Sequence, residues 1–220
     1  MKIEPKIQAI TIVLVGDFNP KIFQPFWFET QKIIRKSEAE SAKVNIIHPD
    51  ITDFNLDWLN IQVSREKFIA NSVKEPYFTN LFDFVVSTFK YLEHTPIRML
   101  GINRDMHFQL ETKEEWHEFG HKITPKSIWN GIIDSPGLRS ITMEGDVNRK
   151  GLNGYIRVTC EPSSRVNPNG ILFKVNDHYQ VKDEKILGCS EIILILEKEY
   201  SESINRSNSI IYSLLEKAMK

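Results

Sequence analysis

The chain alternates between stretches whose apolar residues recur every second position and stretches where they recur every third or fourth. Leu100, Ile102, Met106, Phe108 and Leu110 occupy one phase, and Gly101, Asn103, Asp105, His107 and Gln109 the other, which predicts a strand with one buried face. Arg104 breaks the apolar phase, so a paired or edge-lying arginine, or a bulge, is expected there. The β-branched run Ile10 to Val15, ended by Gly16-Asp17, predicts a buried strand. Val44 to Ile47 is a shorter strand, stopped by Pro49, and Leu59, Ile61 and Val63 alternate with Asn60, Gln62 and Ser64 as another with one wet face.

Helical spacing first appears at Phe26, Thr30, Ile33, Ile34 and Ser37 and predicts one helix reaching about Ala42, with Trp27 and Phe28 as core residues. The strongest helix runs from Glu75 to His94, with Pro76 in its first turn and Phe78, Leu81, Phe82, Val85, Val86, Phe89 and Leu92 on its apolar side. Thr112, with Glu115 three residues on, predicts a helix start, and Thr124-Pro125 opens a short turn through Trp129. Leu138 to Met143, Tyr155 to Cys160 and Ile171 to Val175 read as an antiparallel meander, with Asn176-Asp177-His178-Tyr179 as the turn that closes it. From Ser190 a three-to-four spacing continues almost to the end as a long C-terminal helix. Ser201, Ser203, Asn205, Ser207, Asn208 and Ser209 are poor helix formers, so a kink or split is expected near Asn205.

Together these elements predict a single α+β domain over residues 1–220: a curved antiparallel sheet with helices packed on one side and a long C-terminal helix. Their order also suggests two pseudo-similar halves, 1–111 and 112–220, because Pro20-Lys21-Ile22 before Trp27 is echoed by Pro125-Lys126-Ser127 before Trp129. No glycine loop of the phosphate-binding kind is present.

Composition narrows the function classes. With 28 Lys and Arg against 29 Asp and Glu, the formal charge of −1 lacks the basic surplus of a broad nucleic-acid-binding surface. The apolar run Ile10 to Val15 is too short for a signal core or a membrane span, and no stretch approaches twenty apolar residues. Cys160 and Cys189 fit no metal-ligand spacing; reduced thiols in a cytoplasmic protein are expected, with a disulfide between them left open.

One stretch carries recognisable chemistry. His117-Glu118-Phe119-Gly120-His121 matches the H-E-x-x-H zinc motif, in which two imidazoles four residues apart hold a metal and the glutamate activates a bound water. His117 and His121 would then be ligands and Glu118 the general base. The pattern is similar to that of zinc peptidases, but Glu114, Glu115 and Lys122 put charges around it, and Thr124 and Ser127 stand where one peptidase clan has Gly and a third His. Glu144, spaced as a third ligand for another clan, falls on a predicted strand. The favoured reading is a surface helix whose Trp116, Phe119 and Ile123 pack inward while the histidines face water. Arg104, Arg139 and Arg157, on predicted strands, would line an anion-binding face or the solvent side of the sheet.

Six phrases together resemble a sporadically distributed family of uncharacterised bacterial proteins: Gly16-Asp17-Phe18-Asn19-Pro20, His94-Thr95-Pro96, Leu100-Gly101-Ile102-Asn103, Trp116 with Phe119-Gly120, Pro125 with Trp129, and Asn176-Asp177-His178-Tyr179. The resemblance spans nearly the whole chain. It implies a bacterial cytoplasmic origin and makes Trp116, Phe119 and Gly120 part of a structural signature with Glu118 incidental; it supplies no activity, cofactor or functional residue. The leading expectation is therefore a non-enzymatic cytoplasmic binding or assembly module that engages a protein partner through one sheet face or the two long loops, without a cofactor, and with homo-oligomerisation through the amphipathic C-terminal helix. A zinc-dependent hydrolase using His117, Glu118 and His121, and a small-molecule or nucleotide-binding protein using the hollow of the sheet, are the alternatives.

Overall fold

The computed structural model of the protein describes residues 3–146, 151–181 and 187–220. Among them, nine strands form one open antiparallel sheet: β1 (Ile7–Gly16), β2 (Lys43–Ile47), β3 (Ile51–Asn55), β4 (Asn60–Ser64), β5 (Lys67–Ser72), β6 (Ile97–Gln109), β7 (Ile141–Gly145), β8 (Asn153–Pro162) and β9 (Gly170–Gln180). Their spatial order is β2-β3-β4-β5-β1-β6-β9-β8-β7, so two meanders flank the central pair β1 and β6. The expected α+β architecture with a curved, unclosed sheet is the one observed. Gly16 ends β1 where the chain passes close to its neighbour: a Cβ there would sit 2.2 Å from the Pro96 carbonyl oxygen.

Five helices, α1 (Pro25–Thr30), α2 (Lys36–Glu40), α3 (Phe78–Tyr91), α4 (Lys113–Ile123) and α5 (Ser190–Met219), contribute their buried residues to two apolar clusters on one side of the sheet. The larger cluster joins Ile10, Ile12 and Leu14 of β1 to Phe54, Phe68, Leu100 and the buried faces of α1, α3 and the first half of α5. The smaller joins Phe108, Phe173 and Val175 to Phe119 of α4 and to Ile211 and Leu215 of α5. Helix α5 thus spans both. No helix among the described residues is long and apolar enough to cross a membrane.

Several expectations need correction. The first helix is two, because Lys32 takes a left-handed conformation (φ 59°) after α1, letting Ile33 N–H reach back to the Phe28 carbonyl at 2.9 Å. Strands β3 and β5 went unforeseen. In β3, Thr52 points into the core, where its hydroxyl donates to the Pro20 carbonyl at 2.8 Å, and Ile51 lies on the opposite face, so the hydropathy alternation is lost. Asn176, Asp177, His178 and Tyr179 are not a turn but lie inside β9. Finally, α5 is a single helix without a break near Asn205: Ser203 and Ser207 are fully buried within it, while Ser201 and Ser209 are exposed.

The charged residues beneath α5 are paired, whereas the buried Ser203 and Ser207 hydroxyls meet no hydrogen-bond partner among the described residues. Arg104 stays in the β6 ladder without a bulge, and its buried guanidinium donates to Gln8, to the Ala9 carbonyl at 3.3 Å and to Asn208 of α5 at 3.1 Å, while lying 5.1 Å from the Phe78 ring. Asp177, with no exposed surface, pairs with Arg206 of α5 and accepts from the Tyr179 hydroxyl at 3.1 Å. Both cysteines are free and buried. Burial pushes the Cys160 thiol up to about 12 and Cys189 up to about 11, and Cys189 Sγ donates to the Phe89 carbonyl at the end of α3.

Two stability measurements follow. Phe89 is buried against Phe68, Phe23 and Phe18, so Phe89→Ala should lower unfolding free energy by about 3–5 kcal/mol, whereas half-buried Phe82, stacked on Tyr200 at 4.9 Å, should lose only about 1–2 kcal/mol in urea titrations. Arg206→Met should cost about 3 kcal/mol by depriving the buried Asp177 carboxylate of its cation, and adding Asp177→Asn should recover roughly half of that loss.

Candidate functional site

The helices cover one face of the sheet and leave the other bare, so the second phase of every strand looks outward. On that face Glu144, Arg157, Asn176, Asn103, Thr11, Asn71, Asn60, Asn55 and Lys43 are successive cross-strand partners, one from each strand from β7 to β2. Every position in this row is polar, and five are asparagine, a residue that strands otherwise disfavour. The side chains bond laterally. Arg157 donates to Glu144 at 2.5 Å, Asn176 to Asn103 Oδ1 at 2.5 Å, Asn71 to Thr11 Oγ1 at 2.8 Å, and Asn60 to Asn71 Oδ1 at 3.2 Å. An amide carries both a donor and an acceptor, which lets one asparagine pass the pattern to the next.

The neighbouring row holds the aromatic groups. Tyr155 of β8 and His178 of β9 stack with ring centroids 4.5 Å apart, and the Arg157 guanidinium carbon lies 4.9 Å from the Tyr155 ring centre. Next in that row comes Gly101, then Val13 and Ile69. A side chain at Gly101 would crowd Asn176 Nδ2 at 3.0 Å. A shallow hollow of about 560 Å³ lies between the Tyr155–His178 pair and the Val13–Ile69 wall, with Asn103 and Asn176 among its lining.

The charges here compensate one another. Glu144 holds Arg157 in its charged form and raises its pKa, and Lys174 pairs with Glu161 at 2.6 Å. Asp105, opposite Lys174, has its carboxyl raised by burial, against which Lys174 and Arg104 pull it down. The face is polar and aromatic, with little net charge.

At one end the Pro162 to Gly170 loop folds over this face. Ser163 Oγ accepts the backbone N–H of Arg165 at 3.1 Å and of Val166 at 2.9 Å, leaving its proton for His107 Nδ1 at 2.7 Å. Burial, then the Arg165 and Lys174 charges, hold His107 below its ordinary pKa, with Glu161 opposing.

The zinc-type motif lies elsewhere, on α4. The Thr112–Glu115 capping box starts the helix as expected, Phe119 packs edge-on to Phe173 at 5.9 Å, and Trp116 Nε1 donates to the Gly170 carbonyl at 3.1 Å. His117, Glu118 and His121 point outward and are exposed, and Lys126 Nζ stands 3.5 Å from His121 Nε2. Glu144 is on β7, engaged by Arg157. Among the described residues, no group of three His, Cys, Asp or Glu side chains is placed to hold a metal ion. Of the strand arginines, Arg104 lies under α5 and Arg157 on the bare face.

No protein-family model matches this chain, and no curated protein matches it.

The sign of one pH effect is fixed by His107. Its folded pKa is depressed, so the unfolded chain takes up a proton as pH falls through about 6.5 while the folded chain does not, and stability present above that pH declines below it. Melting temperatures measured from about pH 7.5 down to about 5.5 should fall, and His107→Gln should remove part of that slope.

Proposed function

We propose that this protein is a non-catalytic binding module whose bare sheet face engages a protein partner. The observation that carries the reading is the unbroken polar row across all nine strands. Side chains already tied to their neighbours lose little freedom on binding, and uncharged amides are less costly to desolvate than ions. Beside them Tyr155 and Arg157 are residue types that anchor protein interfaces, and the near-neutral charge suits a non-obligate protein surface better than a phosphate backbone.

A second reading is small-molecule capture, favoured by the hollow between the Tyr155–His178 pair and Val13–Ile69, whose size falls in the range of ligand sites. The two differ in what contacts the bare face on either side of the hollow, which Thr11 and Thr159 both line. A photo-crosslinking residue placed at Thr11 or at Thr159 in the native host should yield the same discrete protein adduct from both positions, and none from Asn80 on α3. Adducts from Asn80 alone, or no protein adduct from Thr11 and Thr159, would reject the protein-partner reading; a small-molecule adduct at Thr11 would favour the second.

A further inference from the structure

Two apolar features have no partner among the described residues. The first is a groove of about 460 Å³ where the inner face of β7 and β8 runs out from under α5, walled by Ile123 at the end of α4, by Ile141 and Met143, and by Ile210 and Leu214. Among the described residues, no charged side chain lines it. The second is a knob: Ile128, Trp129, Ile132 and Ile133, each more than two-fifths exposed, crowd into six residues of a turn with no charged residue from Ser127 to Ile133. Its backbone is braced, with Trp129 N–H bonded to the Lys126 carbonyl at 2.9 Å and Ile132 N–H to that of Trp129 at 3.0 Å. Its base is braced too, since Leu138 sits against Gly120 of α4. Apolar clusters of this kind are seldom left to water on a monomer.

We propose that the knob of one copy of this chain fills the groove of a second copy, and the reverse, in a two-fold dimer. The knob follows directly on the groove wall. Ser127 comes four residues after Ile123, no more than about 14 Å of extended chain, so a single two-fold axis beside Lys126 serves both insertions at once. Knob and groove are both uncharged and both apolar, so the contact buries no unpaired ion. The reciprocal exchange closes after two copies and leaves neither feature exposed, whereas a one-way contact would leave a free groove and a free knob at the ends and would grow.

Sedimentation of the full chain over a range of concentrations should give a dimer. Ile132→Asp, at a position 69% exposed, and Met143→Asp, at one 64% exposed, should each leave the circular dichroism unchanged and weaken dimerisation roughly tenfold or more. Mixing Ile132→Asp with a Met143→Lys variant should restore association, because the mixed pair keeps one knob and one groove of parent sequence in contact and sets the introduced carboxylate against the introduced ammonium at the other. A parent chain that stays monomeric up to about 100 µM, well above the micromolar range of a functional contact, would overturn the proposal. So would a Met143→Asp variant that dimerises like the parent while Ile132→Asp does not, since that would mean that knob packs on knob.

Discussion

The helical layer depends on how α5 is seated on β6 and β9. Thirty residues of helix lie across both apolar clusters, and an apolar stripe alone would let such a helix slide by a turn at little cost. The polar contacts remove that freedom. Arg206 must meet Asp177, and Asn208 must meet Arg104, two residues later on the helix and on the neighbouring strand. A displacement by one turn would strand a carboxylate and a guanidinium where water cannot reach them. Fully buried Ser203 and Ser207 add the steric half of the constraint, because their small side chains let the helix backbone approach the sheet.

That seating decides what the other face becomes. A nine-stranded sheet with all its helices on one side must satisfy its second face with water or with itself, and here it does so largely with itself. Amide-to-amide bonds join β9 to β6 and β4 to β5, and amides of β5 and β6 donate to the Thr11 hydroxyl and carbonyl on β1, which substitutes for hydration and holds side chains that would otherwise move freely. The same alternation that buries Ile102 exposes Asn103, and the same alternation that buries Asp177 presents Asn176 and His178. Core and bare face are therefore set by one register, and an insertion of one residue in β6 or β9 would disrupt both.

The parts that were legible in the sequence are those governed by local period: β1, β4, β6, the meander β7 to β9, α3, the start of α4 and the extent of α5. Where a polar residue enters the core with a distant partner, local period misleads. Asp177 read as turn chemistry because its cation, Arg206, is 29 residues away, and Ser203 and Ser207 of α5 read as a weak point because their packing partner is a sheet built elsewhere. The asparagine row was hidden for the same reason, since its members touch only after nine strands are in register. Only Asn60 and Asn103 fall on a polar strand phase that local period predicts; Asn55 and Asn71 lie on the two strands it misses, and Asn176 lies where it predicts a turn. The H-E-x-x-H phrase is legible by local period alone, and its His117 and His121 stand exposed on α4, His121 beside Lys126.

The two surfaces discussed above do not compete. Ile141, Met143, Val158 and Cys160, which line the groove, lie on the opposite phase of β7 and β8 from Glu144 and Arg157, which begin the polar row. An association of two copies through the groove leaves that row uncovered in each. A partner with two copies of its own epitope would then meet two rows held at a fixed separation, and its second contact would be intramolecular. Weak individual contacts to an amide surface could thereby sum to a stable complex, provided the partner's spacing matches that of the rows.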